Sequence, residues 1–525
     1  MTMTQPLTRA ESSGYTETSR HADVMAFIAA LAARNDPRLH VTDFGMTPEG
    51  RTLPLLVLSQ HGHFTPGAAQ AAKLPIVLII CGIHAGEVEG KEGGLMLVRD
   101  ILDGMHGAAH GCANVAGGSA LPLVAGSAGA TDVLSRITLV IAPLFNADGN
   151  DRIDPQNRKL DIAHLTGQLG PTSGVGTRVN AADVNLNRDY MRQDASEMRL
   201  LQSRVCQPWN PHLTIDCHAT NGSIHRFAMT YDIPHTIGSG RREPIDYMRA
   251  RMMPAVTAAV KRNDGFDSFW YGNFMRDEGG QGKGWLTYTH HPRFGSNYRG
   301  LTNRLDLLLE AYSYISYEER VRVTYGFLRE SLAYVASHGD EIIALLDACE
   351  MPPDQIAVRY RLETFPEVEV EILTREPYAL DGAPVSSFVP HYGNFVGEHV
   401  VQRPWAYAVP EAVAAHLEGH GLRVERPTDS PMLDAEVAIV KGLVSSAGRE
   451  ILEANASSYL DADYNRSQRA LPDGWALVHT EQQRGAIAVY LCEAGSDDGL
   501  LACGWIDEPA VGSEFPAWRV HGIVV

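Results

Sequence analysis

Cysteine is sparse and unpatterned in this chain: Cys81, Cys112, Cys206, Cys217, Cys349, Cys492 and Cys503 are all there is in 525 residues, with no C-x-x-C spacing. Neither a disulfide framework nor a thiolate zinc site is therefore suggested, and a reducing cytoplasm fits best. Basic charge is also short. Against 63 Asp and Glu there are 44 Lys and Arg, and the resulting net charge of −19 repels phosphate backbones, so nucleic acid is not an expected partner. Long apolar runs are missing too. The longest, around 74–81, is strand-sized and well short of the roughly 18–20 residues of a spanning helix, so no membrane association is expected. The polar opening MTMTQPLTRAESSGYTETSR lacks the apolar centre of a signal peptide. No internal repeat has a convincing period. These absences leave a soluble, cytoplasmic protein, long enough for two or more domains, whose oligomeric state the sequence does not reveal.

What is present is a series of strand-like apolar runs separated by helix-like ones. HADVMAFIAALAARN has helical spacing and RTLPLLVLSQ reads as a strand; four further runs follow, LPIVLIICG, RITLVIAPLFN, PHLTIDCHATNG and NRLDLLLEAYSY. Their near-continuous Val, Ile and Leu content suits strands buried on both faces. Segments such as SEMRLLQSRV and IDYMRARMMPAVTAAVKRN supply intervening helices, so the fold class expected is α/β, a mixed and mostly parallel sheet flanked by helices. Residues 104–130, rich in Gly, Ala and Ser, read as a surface loop whose His106, His110 and Cys112 have no rigid element to hold a site. After one or two closing helices, MPPDQ at 351 breaks the pattern. A boundary is expected near 350, dividing a catalytic domain, 1–350, from a C-terminal accessory domain, 351–525. The short segments VRYRLETF, VEVEILT, WAYAVP, GWALVHT, GAIAVYLCE and AWRVHGIVV make the latter β-rich or α+β.

Several of the apolar runs end in groups able to bind a metal or move a proton. In open α/β sheets, ligands collect beyond the carboxyl ends of the strands, so residues distant in the chain converge there. GIHAGEVEGKEGG gives His84 and Glu87, IDCHATNG gives His218 and LLLEAYSY gives Glu310. Two imidazoles and a carboxylate make a three-ligand set for catalytic zinc, and residues three apart at a helix start lie on one side of it. Each residue also has a plainer reading: a charged helix opening, a hydrogen-bonded histidine, or a Glu310 paired with Arg304. In GTRVNAADVNLNRDY, Arg178, Asn187 and Arg188 crowd a polar loop that is either solvated or suited to gripping a carboxylate and an oxyanion.

In order along the chain, GYTETS, GMTPEGRTLPLLVLS, CGIHAGEVEG, PLFNADGNDR, RVNAADVNLNRDY, IDCHATNG and LLLEAYSY resemble the zinc metallocarboxypeptidase family of the carboxypeptidase A and B type, over about residues 14–345. The resemblance implies a carboxypeptidase-like fold, a Zn2+ cofactor held by His84, Glu87 and His218, and Glu310 as general base. It implies Arg178 as the arginine that polarises the scissile carbonyl, and Asn187 with Arg188 as the grip on a terminal carboxylate. Tyr288 and Tyr298 are the candidates for the family's substrate-capping tyrosine. The stretch HHPRFGSNYRGLTNR stands where the specificity pocket is expected; Arg293, Arg299 and Arg304 in it suit an acidic substrate side chain or are surface charge. A cytoplasmic setting departs from the secreted digestive members, and the C-terminal domain has no counterpart in their catalytic unit. The activity expected is hydrolysis of a peptide or peptide-like amide beside a free carboxylate. An N-acyl amino acid or ester deacylase on the same scaffold, and a non-catalytic metal-holding binding protein, are the competing readings.

Overall fold

The computed structural model describes residues 5–104, 133–275, 283–366, 369–445 and 458–524; the expected loop with His106, His110 and Cys112 lies outside them. The strands in chain order are β1 Leu39–Met46, β2 Thr52–Leu58, β3 Ile76–Cys81, β4 Thr138–Ala142, β5 Leu213–Thr220, β6 Met229–Asp232, β7 Ser268–Trp270, β8 Asn273–Phe274, β9 Trp285–Leu286 and β10 Leu305–Tyr312. Eight of these form one mixed sheet in the order β1-β2-β4-β3-β5-β10-β6-β7. Its centre, β4-β3-β5-β10, is parallel throughout. These are the apolar runs of the sequence, and β3, β4 and β5 are buried along their whole length.

The order places β4 on one side of β3 and β5 on the other, so the sheet reverses its winding at β3. A crevice opens at the carboxyl ends of strands that part in this way. The helix Glu89–Leu102 leaves from that end of β3 and lies back against the sheet. Its glycines let it come close: a Cβ on Gly90 would stand 2.4 Å from Cys217 Cβ. The charged groups of its first turns are buried and each has a partner, although one Glu89 oxygen, Oε2, is left without a hydrogen bond. Glu89 pairs with Arg320 at 2.5 Å, Glu92 accepts from Thr18 Oγ1 and from the Ser19 backbone and hydroxyl, and Lys91 donates to Ser19 O at 2.6 Å and to Asn150. The N-terminal segment is thereby tied to the start of the helix that follows the crevice.

Beyond residue 350 come β11 Gln355–Thr364, β12 Val370–Glu376, β13 Ala383–Val389, β14 His391–Gln402, β15 Ala406–Pro410, β16 Val424–Glu425, β17 Met432–Ser445, β18 Ser458–Ala470, β19 Trp475–His479 and β20 Trp518–Ile523. They form a two-stranded ribbon β12-β13, a six-stranded sheet β16-β19-β15-β20-β17-β18, and a four-stranded sheet β11-β14-β9-β8. This last sheet draws strands from both sides of 350, and one apolar cluster runs from Ala10 to Ala517. One segment differs from its expectation. GAIAVYLC, read as a strand, is the helix Gly485–Cys492 with all eight residues buried. A short run that is apolar on every side satisfies a buried strand and a buried helix equally, and packing decides between them.

Gly90→Ala is expected to lower stability by about 1–3 kcal/mol in urea unfolding, because the added methyl overpacks the helix against β5 and outweighs the helix propensity gained. An unchanged or raised midpoint would show that the helix has room to lift.

Candidate metal centre

His84 and Glu87 lie in the turn between β3 and its helix, one turn earlier than a helix start, and the Glu87 N–H closes the turn on His84 O at 3.0 Å. His218 comes from within β5, where the two-residue pleat puts Thr214, Asp216, His218 and Thr220 on one face and Leu213, Ile215, Cys217 and Ala219 on the other. The parallel register sets Glu310 of β10 directly beside His218. Four residues from three chain segments thus meet at one end of the sheet.

The ligand atoms of His84, Glu87 and His218 lie within 4.8 Å of one another, and all three residues are buried. Both imidazoles turn Nδ1 toward the carboxylate: His84 Nδ1 is 3.1 Å from Glu87 Oε1, and His218 Nδ1 is 2.8 Å from Glu87 Oε2. Their other nitrogens face outward to oxygen. His84 Nε2 is 3.0 Å from Asn185 Oδ1, and His218 Nε2 lies 3.3 Å from Asp216 Oδ1, outside hydrogen-bond alignment. Histidine ligands have this arrangement, with one nitrogen for the ion and the other oriented by a polar neighbour. The residues present therefore fit a divalent zinc-type cation.

Electrostatics sharpen the picture. Burial pushes the His84 imidazole down to about 4, which leaves it neutral, the form in which an imidazole binds metal. Burial would raise Glu87, but the proximity of His84, the charge of Arg158 and hydrogen bonds from both histidines hold it well below the usual carboxylate range. Burial raises Glu310 to about 8, with the nearby Glu87 adding to the shift and His218 opposing it. The Glu310 carboxylate has no hydrogen bond or ion pair among the described residues, and Arg304 instead donates to Asn210 Oδ1 at 3.3 Å. The paired reading of Glu310 is therefore not the one adopted.

Arg178 is on the rim, its side chain 46% exposed, with Nη1 3.3 Å from His84 Nδ1 and 3.6 Å from Glu87 Oε1. The loop carrying it runs close to the turn of His84: a Cβ on Gly176 would stand 3.0 Å from Ala85 O. Asn187 and Arg188 sit on a single helical turn, Leu186–Arg188, capped by Asn185, which also receives His84. Asn187 Oδ1 accepts from Gly295 N at 2.9 Å, which leaves its amide nitrogen without a partner among the described residues. Arg188 lays its guanidinium 3.5 Å over the Phe294 ring and forms no ion pair among the described residues. Burial, then repulsion from Arg178 and Arg293, pushes Arg188 down to about 9. An anion placed there would reverse that shift.

Some expectations for the neighbouring residues fail. Arg299 is neither a specificity residue nor surface charge: buried, it bridges Asp216 at 3.0 Å, Asp306, and Tyr190 at 2.8 Å. Arg293 is held by Asp498 at 2.6 Å. Tyr298 is a core residue whose hydroxyl meets His420 Nδ1 at 2.8 Å. Two residues that the sequence reading passed over do reach the site. Arg158 donates to Glu87 Oε1 at 2.8 Å and to Ala219 O at 3.1 Å. Tyr271, whose hydroxyl is raised first by burial and then by Glu310, lies near Glu310 and Arg188 with its ring 5.7 Å from Tyr288. Neither sits in a motif, so no local signal marks them.

Residues 24–211 match the model of the zinc carboxypeptidase family. Over that stretch the chain is similar to the zinc carboxypeptidases, hydrolases with Zn2+ as their cofactor. The matched residues include His84, Glu87, Arg178, Asn187 and Arg188 and stop short of His218 and Glu310. No curated protein matches the chain. Solved structures similar to it include a metallo-carboxypeptidase from Burkholderia cenocepacia, 18% identical with a TM-score of 0.40, covering 61% of this chain and 70% of that one. Another is a metallo-carboxypeptidase from Pseudomonas aeruginosa in complex with (2-guanidinoethylmercapto)succinic acid, 15% identical with a TM-score of 0.38, covering 61% and 68%. A third is the carboxypeptidase A from Helicoverpa armigera, 13% identical with a TM-score of 0.37, covering 62% and 75%.

Arg299→Ala leaves Asp216 and Asp306 buried without their cation, and a loss of about 3–5 kcal/mol in unfolding free energy is expected. His218→Ala is expected to lower bound zinc by about one ion per chain in elemental analysis, since two remaining protein ligands hold such an ion poorly.

Proposed function

We propose that the protein is a zinc-dependent, carboxypeptidase-like hydrolase that cleaves a peptide or peptide-like amide bond next to a free carboxylate. The observation that carries this reading is a pair of unsatisfied groups on one opening: the unpaired Glu310 carboxylate beside the His-Glu-His set, and the unpaired Arg188 with the free amide of Asn187. The half-buried guanidinium is held by the Asn187 carbonyl and the Phe294 ring and has donors left over, which a substrate carboxylate would take. His84, Glu87 and His218 would hold the ion, which when bound supplies a Lewis acid and lowers the pKa of water.

The remaining chemistry belongs to the chain. Glu310 takes a proton from the attacking water and delivers it to the leaving amine nitrogen. Arg178, on the rim beside His84, donates to the carbonyl oxygen as negative charge gathers there. Arg188 and Asn187 fix the carboxylate end, which restricts cleavage to the terminal bond. Tyr271 borders the space between Glu310 and Arg188 and so takes over from Tyr298 as a candidate for closing over substrate. An N-acyl amino acid deacylase would use the same groups, because it too presents a carboxylate beside the scissile bond. Residues 1–350 would form the catalytic part and 351–525 an accessory part.

A cytoplasmic location is supported by six cysteines that are free and buried among the described residues. No helix among those residues is long and apolar enough to cross a membrane. The charge of −19 speaks against a nucleic-acid partner.

Glu310→Gln is expected to lower kcat by about 10²–10⁴-fold while zinc remains bound. Unchanged turnover would remove Glu310 from the reaction. Arg188→Ala is expected to raise KM for short peptides and N-acyl amino acids with a free carboxylate, and to leave amidated analogues equally poor with either enzyme. Comparable hydrolysis of amidated and free substrates by the wild-type chain would end the carboxylate argument, and a preference between peptides and N-acyl amino acids would separate the two hydrolase readings.

A further inference from the structure

A second cluster of ligand-type side chains lies apart from the first and shares no residue with it. His290 and His291 are adjacent in the segment between β9 and β10, and Asp497 arrives from the C-terminal part, following the helix Gly485–Cys492. Their ligand atoms lie within 4.8 Å of one another and all three residues are buried. His290 Nε2 is 2.7 Å from Asp497 Oδ2, and His291 Nε2 is 4.0 Å from the same oxygen.

A histidine–aspartate hydrogen bond explains His290 but not His291. The His291 ring is fully buried, its Nδ1 meets Thr289 Oγ1 at 2.6 Å, and its Nε2 has no hydrogen-bond partner. A buried ring nitrogen without a partner is expensive whichever tautomer it adopts. With Nδ1–H donated to Thr289, the orphan Nε2 presents a lone pair toward the Asp497 carboxylate. The other oxygen of that carboxylate, Oδ1, accepts from Tyr490 at 2.7 Å. Thr289 and Tyr490 are thus the outer partners that orient an imidazole and a carboxylate around a metal. Atoms coordinated tetrahedrally to zinc stand roughly 3.3 Å apart, between the two separations found here, so small side-chain movements complete the set. Besides His290 and Asp497 themselves, the charges that act on His291 are Arg293, held by Asp498, and Arg188.

We propose that His290, His291 and Asp497 form a second site for a divalent cation of the zinc type, with two imidazoles and one carboxylate as its protein ligands and one position left for water. The ion joins the segment before β10 to the C-terminal part. That segment also carries Phe294, the ring beneath Arg188, and Gly295, the donor to Asn187. A cation here fixes the wall against which those two residues rest, and so has a structural role. The site stands independently of the assignment of His84, Glu87 and His218.

The test is a metal count on the full chain, stripped with chelator, resupplied with zinc alone and dialysed. The double variant His84→Ala/His218→Ala, which lacks the first site, is expected to retain about one zinc per chain, and adding Asp497→Asn is expected to abolish it. No zinc in the double variant, or zinc that survives Asp497→Asn, overturns the proposal. Should the double variant not fold, the wild-type chain decides: about two ions falling to one in Asp497→Asn supports the site, and a count unaffected by that change overturns it. A wild-type count of about one ion that is unaffected by loss of His84 and His218 but lost in Asp497→Asn would uphold this site and remove the other.

Discussion

The buried carboxylate of Glu87 is the interaction on which the rest of the candidate centre depends. A carboxylate this deep is stable only when its lone pairs are met, and here they are met by His84, Arg158, His218 and the Ala219 backbone N–H. Those four groups come from the turn after β3, the loop beyond β4 and the end of β5. One side chain thereby registers three separate segments. Behind it runs a chain of alternating charge, from His218 to Asp216, Arg299 and Asp306, which fixes the face of the sheet that carries Glu310. The arrangement is rigid because every removal strands a buried charge.

The strands that build the centre were legible because burial on both faces demands continuous apolar sequence, and their polar ends stood out against it. His84, Glu87, His218 and Glu310 are legible for that reason, and Arg178, Asn187 and Arg188 for their crowding in one polar loop. What could not be read is whatever depends on distant pairing. Arg158 is one arginine in an unremarkable loop until Glu87, 71 residues away, is placed beside it. His290 and Asp497 are 207 residues apart. Arg299 looked like surface charge because its two carboxylates belong to strands, where the eye reads only the apolar alternate residues. The run GAIAVYLC failed differently: it contains no polar residue to give it a period.

The C-terminal part adds no residue to the His-Glu-His set, yet it abuts the residues that hold Arg188. Phe294 and Gly295 support the clamp from below, and their segment is bonded to Asp497 and Asp498. The two halves of the sequence are therefore coupled through the end of the cleft that holds Arg188 and Asn187 rather than through the end that holds the His-Glu-His set.

The four-stranded sheet that joins β9 to β14 also sets an order of events in synthesis. Trp285 and Leu286, paired on one side with Phe274 and Asn273, find the partners for their other side at His391 and Tyr392, and Arg293 finds its carboxylate only at Asp498. A nascent chain that has emerged through β10 holds the strands of the main sheet but has an edge at β9 that nothing covers. Contacts of such sequence separation form late, after the loop closure they require. The wall that carries Phe294 and Gly295 is thus the last part of the cleft to be completed, after the main sheet has formed.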